Sequence, residues 1–149
     1  MKWIPAITVF ALATVILWAC SKDKFESKPR LEIKDYSATE VSRFQTLRIR
    51  LNYFDKEGDL DRAAFTCIRV RLNQLPLGTG SADKADTIRS TMPEFPPKDN
   101  GELTVQFDWD FLKESIAEND TIMFRFAVTD RAGNNSDTLS SDKFVIHMP

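Results

Sequence analysis

Four acidic side chains crowd into the nine residues YFDKEGDLD, Tyr53 to Asp61, where Asp55, Glu57, Asp59 and Asp61 surround the lone Gly58. Carboxylates at this density suit a hard cation, and calcium takes about six to eight oxygen ligands. The helix–loop–helix calcium loop places oxygens at positions 1, 3 and 5, glycine at 6 and glutamate at 12. Counted from Asp55, Gly58 falls at position 4, Leu60 at 6 and Thr66 at 12, which excludes that motif. A second polar run, Asp130 to Asp137, supplies Asp130, Asn134 and Asn135. If the fold brings both runs to one tip, Asp55, Glu57, Asp59, Asp61, Asp130 and Asn134 become the candidate calcium ligands. A pair of ordinary turns accounts for the same residues. Asp and Asn side chains bond nearby backbone and Gly supplies positive φ, while Lys56, Arg62 and Arg131 stand ready to neutralise the acids.

Other chemistry is sparse. The histidine count is one, His147 in the last strand-like run, and the cysteine count is two, Cys20 and Cys67. A nucleophile needs a base held against it and oriented by a third group, which a single terminal histidine does not offer. No Cys/His cluster has zinc-site spacing. Cys67 lies within AAFTCIRVRL and reads as a small buried hydrophobe. Paired carboxylates also hydrolyse glycosides, but that needs a cleft with aromatic platforms, and the aromatics here alternate like core residues. The expectation is a protein without catalysis.

The elements that must hold these residues read as strands. Apolar side chains recur with period two. Leu47, Ile49, Leu51 and Tyr53 share one face, with Arg48, Arg50 and Asn52 on the other. Leu103, Val105, Phe107 and Trp109 form a second inward set, and Ile122, Phe124, Phe126 and Val128 a third, with Arg125 outward. In the IRVRL run the same logic turns Ile68, Val70 and Leu72 inward. Phe65 and Cys67 are out of phase with them, which predicts a bulge near Cys67. The helical candidate is DFLKESIAEN, capped by Asp110 with Glu114 in its first turn. Residues 73–101 hold most of the glycine and proline and read as a long excursion around one edge strand, with Phe95 as a lid over the edge of the fold. About seven short strands and one helical turn predict an all-β fold, an antiparallel Ig-like β-sandwich. In that alphabet A lies near 30–37, B 46–54, C 64–72, D 86–92, E 101–109, F 120–129 and G 138–148, with a barrel as the competing architecture. The B–C and F–G loops of such a sandwich share an end, which would set Asp55–Asp61 opposite Asp130–Asp137.

The first residues carry an address. Lys2 precedes an apolar run from Ile4 to Trp18, too short for a spanning helix of about 20 residues and followed at once by the charged SKDKFESKPR. That profile is a secretory signal peptide. Without Met1–Ala19 the chain has 19 basic and 22 acidic residues, a net charge of −3. Nucleic acid wants a basic face, so the expectation is no nucleic-acid partner.

Leu17-Trp18-Ala19-Cys20 resembles a bacterial lipobox. The resemblance implies cleavage before Cys20, diacylglycerol on its thiol, and no disulfide partner for Cys67. Ser21 to Glu26 is similar to the acidic export tags of Bacteroidota lipoproteins, and residues 20–29 read as a lipidated, flexible tether. FAVTDRAGNNSDTLSSDKFVI resembles the final hairpin of bacterial Ig-like and fibronectin-III-like domains through Asp130, Gly133 and Asn134. LNYFDKEGDLD resembles a strand-to-turn motif of small Bacteroidota lipoproteins. Asp86-Thr87-Ile88, Asp120-Thr121-Ile122 and Asp137-Thr138-Leu139 look like the O-glycosylation sequon of that phylum, although Asp-Thr also simply begins a strand after a turn. These likenesses imply a signal peptide over 1–19, a domain over 30–149 and an outer-membrane lipoprotein on its periplasmic or surface face. The implied role is a binding or accessory module with a protein or glycan partner. The alternatives are a small envelope hydrolase and a purely structural component.

Overall fold

The computed structural model describes residues 28–149. The apolar run, the lipobox and Cys20 lie outside the described residues. Among the described residues nine strands run in chain order. They are β1 (Arg30–Tyr36), β2 (Glu40–Val41), β3 (Thr46–Phe54), β4 (Ala64–Arg71), β5 (Thr87–Thr91), β6 (Asn100–Asp108), β7 (Asp120–Thr129), β8 (Leu139–Ser140) and β9 (Phe144–Ile146). A single helical turn, α1 (Trp109–Leu112), follows β6. The first sheet has the order β1-β3-β6; the second runs β2-β9-β7-β4-β5, with β8 also on β7. The protein is an all-β sandwich.

The three apolar faces read from period two form its interior. Leu47, Ile49 and Leu51 of β3 and Ile122, Phe124 and Phe126 of β7 are fully buried. The sheets meet through aromatic rings: Phe107 of β6 lies flat on Phe124 of β7, centroids 4.4 Å apart and 3° between planes. Offset stacking of this kind adds to the burial of area. Phe95 does cover an edge, stacking on Tyr53 at 5.4 Å. Beneath the Tyr53 ring the chain passes as Gly101, where a β-carbon would lie 2.3 Å from the Tyr53 hydroxyl.

Several local expectations are corrected. The β4 face is inverted: Phe65, Cys67 and Arg69 point inward, while Ile68, Val70 and Leu72 are only partly buried. No bulge is needed, because β4 pairs with β7 without a break from Ala64↔Thr129 to Arg71↔Ile122. The register shift falls in β1 instead, between Ile33 and Asp35. The expected G strand is split into β8 and β9 around Ser141. The Ser141 hydroxyl accepts from Phe124 N–H at 2.9 Å, and the Ser141 amide donates to Phe124 O at 2.9 Å. The strand lettered D is the edge strand expected of that segment: β5 pairs with β4 and ends the second sheet. The expected ten-residue helix stops after one turn. Asp108 occupies its N-cap without a side-chain bond, and Asp110 sits in the first turn. Beyond it the Glu114 and Ser115 amides donate to Asp120 Oδ2 at 2.8 and 2.9 Å, drawing the chain out of helical bonding.

Register fixes two ends. Arg30, Phe54 and Asn100 lie at one, and Tyr36, Thr46 and Asp108 at the other. The tether's last residues are already engaged with the first end: Pro29 is buried and Lys28 pairs with Asp137.

Candidate functional site

The two acidic runs do meet, at the end where β3 and β7 finish. Each is built by the same device. In the first, the Gly58 amide donates to Asp55 O at 3.2 Å and the Asp59 amide donates to Asp55 Oδ2 at 2.8 Å. In the second, the Gly133 amide donates to Asp130 O at 3.2 Å and the Asn134 amide donates to Asp130 Oδ1 at 2.7 Å. Both glycines have positive φ, +67° and +92°, the conformation glycine adopts without strain. Gly58 is also buried, and a β-carbon there would stand 3.2 Å from the Lys98 amide. DKEGD and DRAGN are thus one turn used twice, an aspartate carboxylate accepting the amide four residues on. That repeated spacing is a sequence signal for the pair that strand order alone did not use.

The pairing brings together Asp55, Asp59 and Asp130, one carboxylate oxygen of each lying within 4.8 Å of the others. Asp55 and Asp130 are buried, at 2% and 5% exposure, and Asp59 is half-buried. Asp55 Oδ1 and Asp59 Oδ1 are sealed from solvent without a hydrogen-bond donor. Burial pushes the Asp59 carboxyl above the usual value of 3.8, and the carboxylates of Asp130, Asp55 and Glu57 push the same way. The other candidates stand apart. Glu57 is exposed, and Asp61 faces Arg131 at 3.4 Å. Asn134 donates its side-chain amide to Asp130 Oδ2 at 2.8 Å, and Asn135 accepts from the Thr129 hydroxyl at 2.6 Å. Beside the cluster runs an open cleft of ≈ 690 Å³ lined by Lys28, Arg30, Phe54, Asp55, Lys56, Asp99 and Asn100.

His147 lies away from the acidic cluster. His147 follows β9 at the far end, with Nε2 2.9 Å from Glu40 Oε2 and Nδ1 3.3 Å from the Asn119 side-chain amide. Cys67 is a free, buried thiol whose pKa burial pushes up to about 12, well away from thiolate chemistry. Thr87 and Thr138 are exposed, one opening β5 and the other preceding β8, whereas Thr121 is half-buried within β7.

A second polar cluster at the far end escaped the hydrophobic pattern. The Arg69 side chain, 0% exposed, pairs with the buried Glu114 carboxylate and donates to Phe111 O at 2.9 Å and Lys84 O at 3.1 Å. Its guanidinium lies 5.2 Å from the centroid of the Phe111 ring. Next to it Asp120 is fully buried and accepts from Lys113 Nζ at 2.9 Å and Arg71 Nε at 3.0 Å. Burial pushes the Asp120 carboxyl up, but the Glu114 amide, the Lys113 ammonium, the Ser115 amide and Arg71 together outweigh it, and the pKa falls below 3.8. This network explains Asp120 in the second Asp-Thr pair as a structural anchor.

No protein-family model matches this chain, and no curated protein matches it. Among solved structures, the chain is similar to β-glucosidase 3B from Thermotoga neapolitana, in a complex with glycerol, at 12% identity and a TM-score of 0.37. That match covers 83% of this chain and 17% of the enzyme chain, so the present chain spans under a fifth of that enzyme's length. The fold and site define a class in structural terms: a β-sandwich whose two ends carry an acidic cluster and a buried ion-pair network.

Proposed function

We propose that this chain is a lipid-anchored cell-envelope protein without catalysis, working as a binding or accessory module of an envelope complex at the outer membrane. The observation that carries this reading is the contrast between the two ends. The lipobox-like LWAC lies shortly before Pro29, and the chain joins the sandwich at the acidic end. Extended chain from Cys20 to Pro29 reaches at most about 30 Å, which would hold that end near the bilayer. The large apolar side chains Phe44, Leu75, Ile116 and Met148 are exposed at 89%, 65%, 63% and 41%. All four belong to turns or the terminus at the opposite end, next to β3, β4, β7 and β9. Phe44 is held at φ +67°, a costly conformation for a bulky residue. Attachment at one end and apolar side chains at the other suit a module that docks a protein partner away from the membrane. The exposure of Thr87 and Thr138 suits O-glycosylation on the flanks.

The test has two arms. Labelled palmitate is expected on the wild-type protein and not on Cys20→Ala, which leaves the membrane fraction. The native protein, extracted in mild detergent, is expected to co-purify with a stoichiometric protein partner that Phe44→Ser with Ile116→Ser releases. A protein that carries no lipid, or that runs alone as a monomer, overturns the corresponding half of the reading.

A further inference from the structure

The acidic end presents an arrangement that its own hydrogen bonds do not complete. Asp55 is 2% exposed, and its Oδ1 lacks any donor. Asp59 Oδ1 is sealed in the same way. Both belong to the group of three carboxylates whose offered oxygens lie within 4.8 Å of one another. The arginines of this end are turned to other acids: Arg131 to Asp61, Arg62 to Glu94 and Arg30 to Glu32. Lys28 pairs with Asp137. Neighbouring carboxylates that bury oxygens without donors repel each other, and buried acceptors in folded proteins are ordinarily satisfied. A partner that supplies positive charge and accepts several oxygens at once resolves both.

We propose that Asp55, Asp59 and Asp130 hold one calcium ion between the β3–β4 loop and the β7–β8 loop. The donor set is all carboxylate oxygen, the preference of hard cations. Calcium completes six to eight ligands from backbone carbonyls and water with irregular geometry, whereas magnesium demands a near-ideal octahedron. One carboxylate comes from each side of the sandwich: Asp55 continues β3 of the first sheet and Asp130 continues β7 of the second. The ion therefore ties the two sheets together at the end where the chain joins the fold. Asp61 and Glu57 add negative charge nearby without being ligands. The site does not depend on lipid anchoring.

The experiment uses the mature chain, Cys20 replaced by Ser for solubility, stripped with chelator and titrated with calcium chloride by calorimetry and by melting. One saturable site and a higher melting midpoint are expected, since a ligand that binds only the native state raises it. Asp59→Asn and Asp130→Asn are each expected to weaken binding about tenfold or more. Asp59→Asn in chelator is expected to melt at or above the wild-type midpoint, because it removes a charge that the fold disfavours. No heat and no shift up to about 10 mM calcium, beyond the weak extracellular modules, overturns the site; the carboxyls then share a proton. Equal affinity for magnesium overturns the assignment to calcium. If the variants fail to fold, the wild-type titration decides alone.

Discussion

At the scale of single residues, two aspartates answer pH with opposite signs. The folded pKa of Asp59 is raised, so its contribution is present below 3.8 and is lost as pH rises through the folded value. The folded pKa of Asp120 is lowered, so its contribution is present above 3.8 and is lost as pH falls through the folded value. In calcium-free buffer, wild type measured against Asp59→Asn should gain stability as pH drops from neutrality towards 3.8. Against Asp120→Asn it should lose stability only below that point. Urea midpoints across a pH series check both, and a difference of the same sign for the two variants would refute the assignment. The sequence showed that acids cluster at 55–61 and 130–137. It did not show which of them turn inward. Asp61 is withdrawn by Arg131 and Asn134 by Asp130, pairings that depend on loop conformation rather than on spacing.

At the scale of elements, alternation located the long strands β3, β4, β6 and β7, because a half-buried strand writes its two faces into period two, whereas the two-residue β2 is too short to write any pattern. β4 is the instructive exception. Its pattern was read by hydrophobicity, which sends arginine outward, yet Arg69 is inside because Glu114 and two backbone carbonyls meet it there. Those partners are 15 to 45 residues away in sequence, so no local pattern announces them. The shortened helix α1 has the same origin, since Asp120 captures the amides that would extend it. Breaking a buried ion pair from one side costs about 3–5 kcal/mol, while replacing both partners by apolar groups is often far less harmful. Arg69→Ala should therefore cost about 3–5 kcal/mol in urea unfolding, and Arg69→Met with Glu114→Leu should cost less than the single change. A double variant weaker than Arg69→Ala would show that the surrounding carbonyls, not Glu114, dominate.

For the whole molecule, the sandwich and the shared end of its two acidic loops follow from strand count and chain order. The unequal chemistry of the ends became visible only in three dimensions. One end gathers carboxylates and the other locks carboxylates onto cations, so acid should relax the first and loosen the second. Hydrogen exchange in chelator, corrected for intrinsic rates, is expected to show protection at Asp59 and Asn134 rising relative to Glu114 and Ser115 as pH falls. A uniform change along the chain would mean that the ends do not titrate separately.

β6 has a strand neighbour on one side only. It is nine residues long, contains no proline and runs with unbroken register along β3, the kind of open margin on which foreign strands add and fibres begin. Its defence is local. Glu102, Thr104, Gln106 and Asp108 form the exposed row, and the proline-rich segment carrying Phe95 packs over Tyr53 where the strand begins. The residues that hold this margin apart from its neighbours are consequently as much a part of keeping the molecules separate as the core is of keeping each one folded.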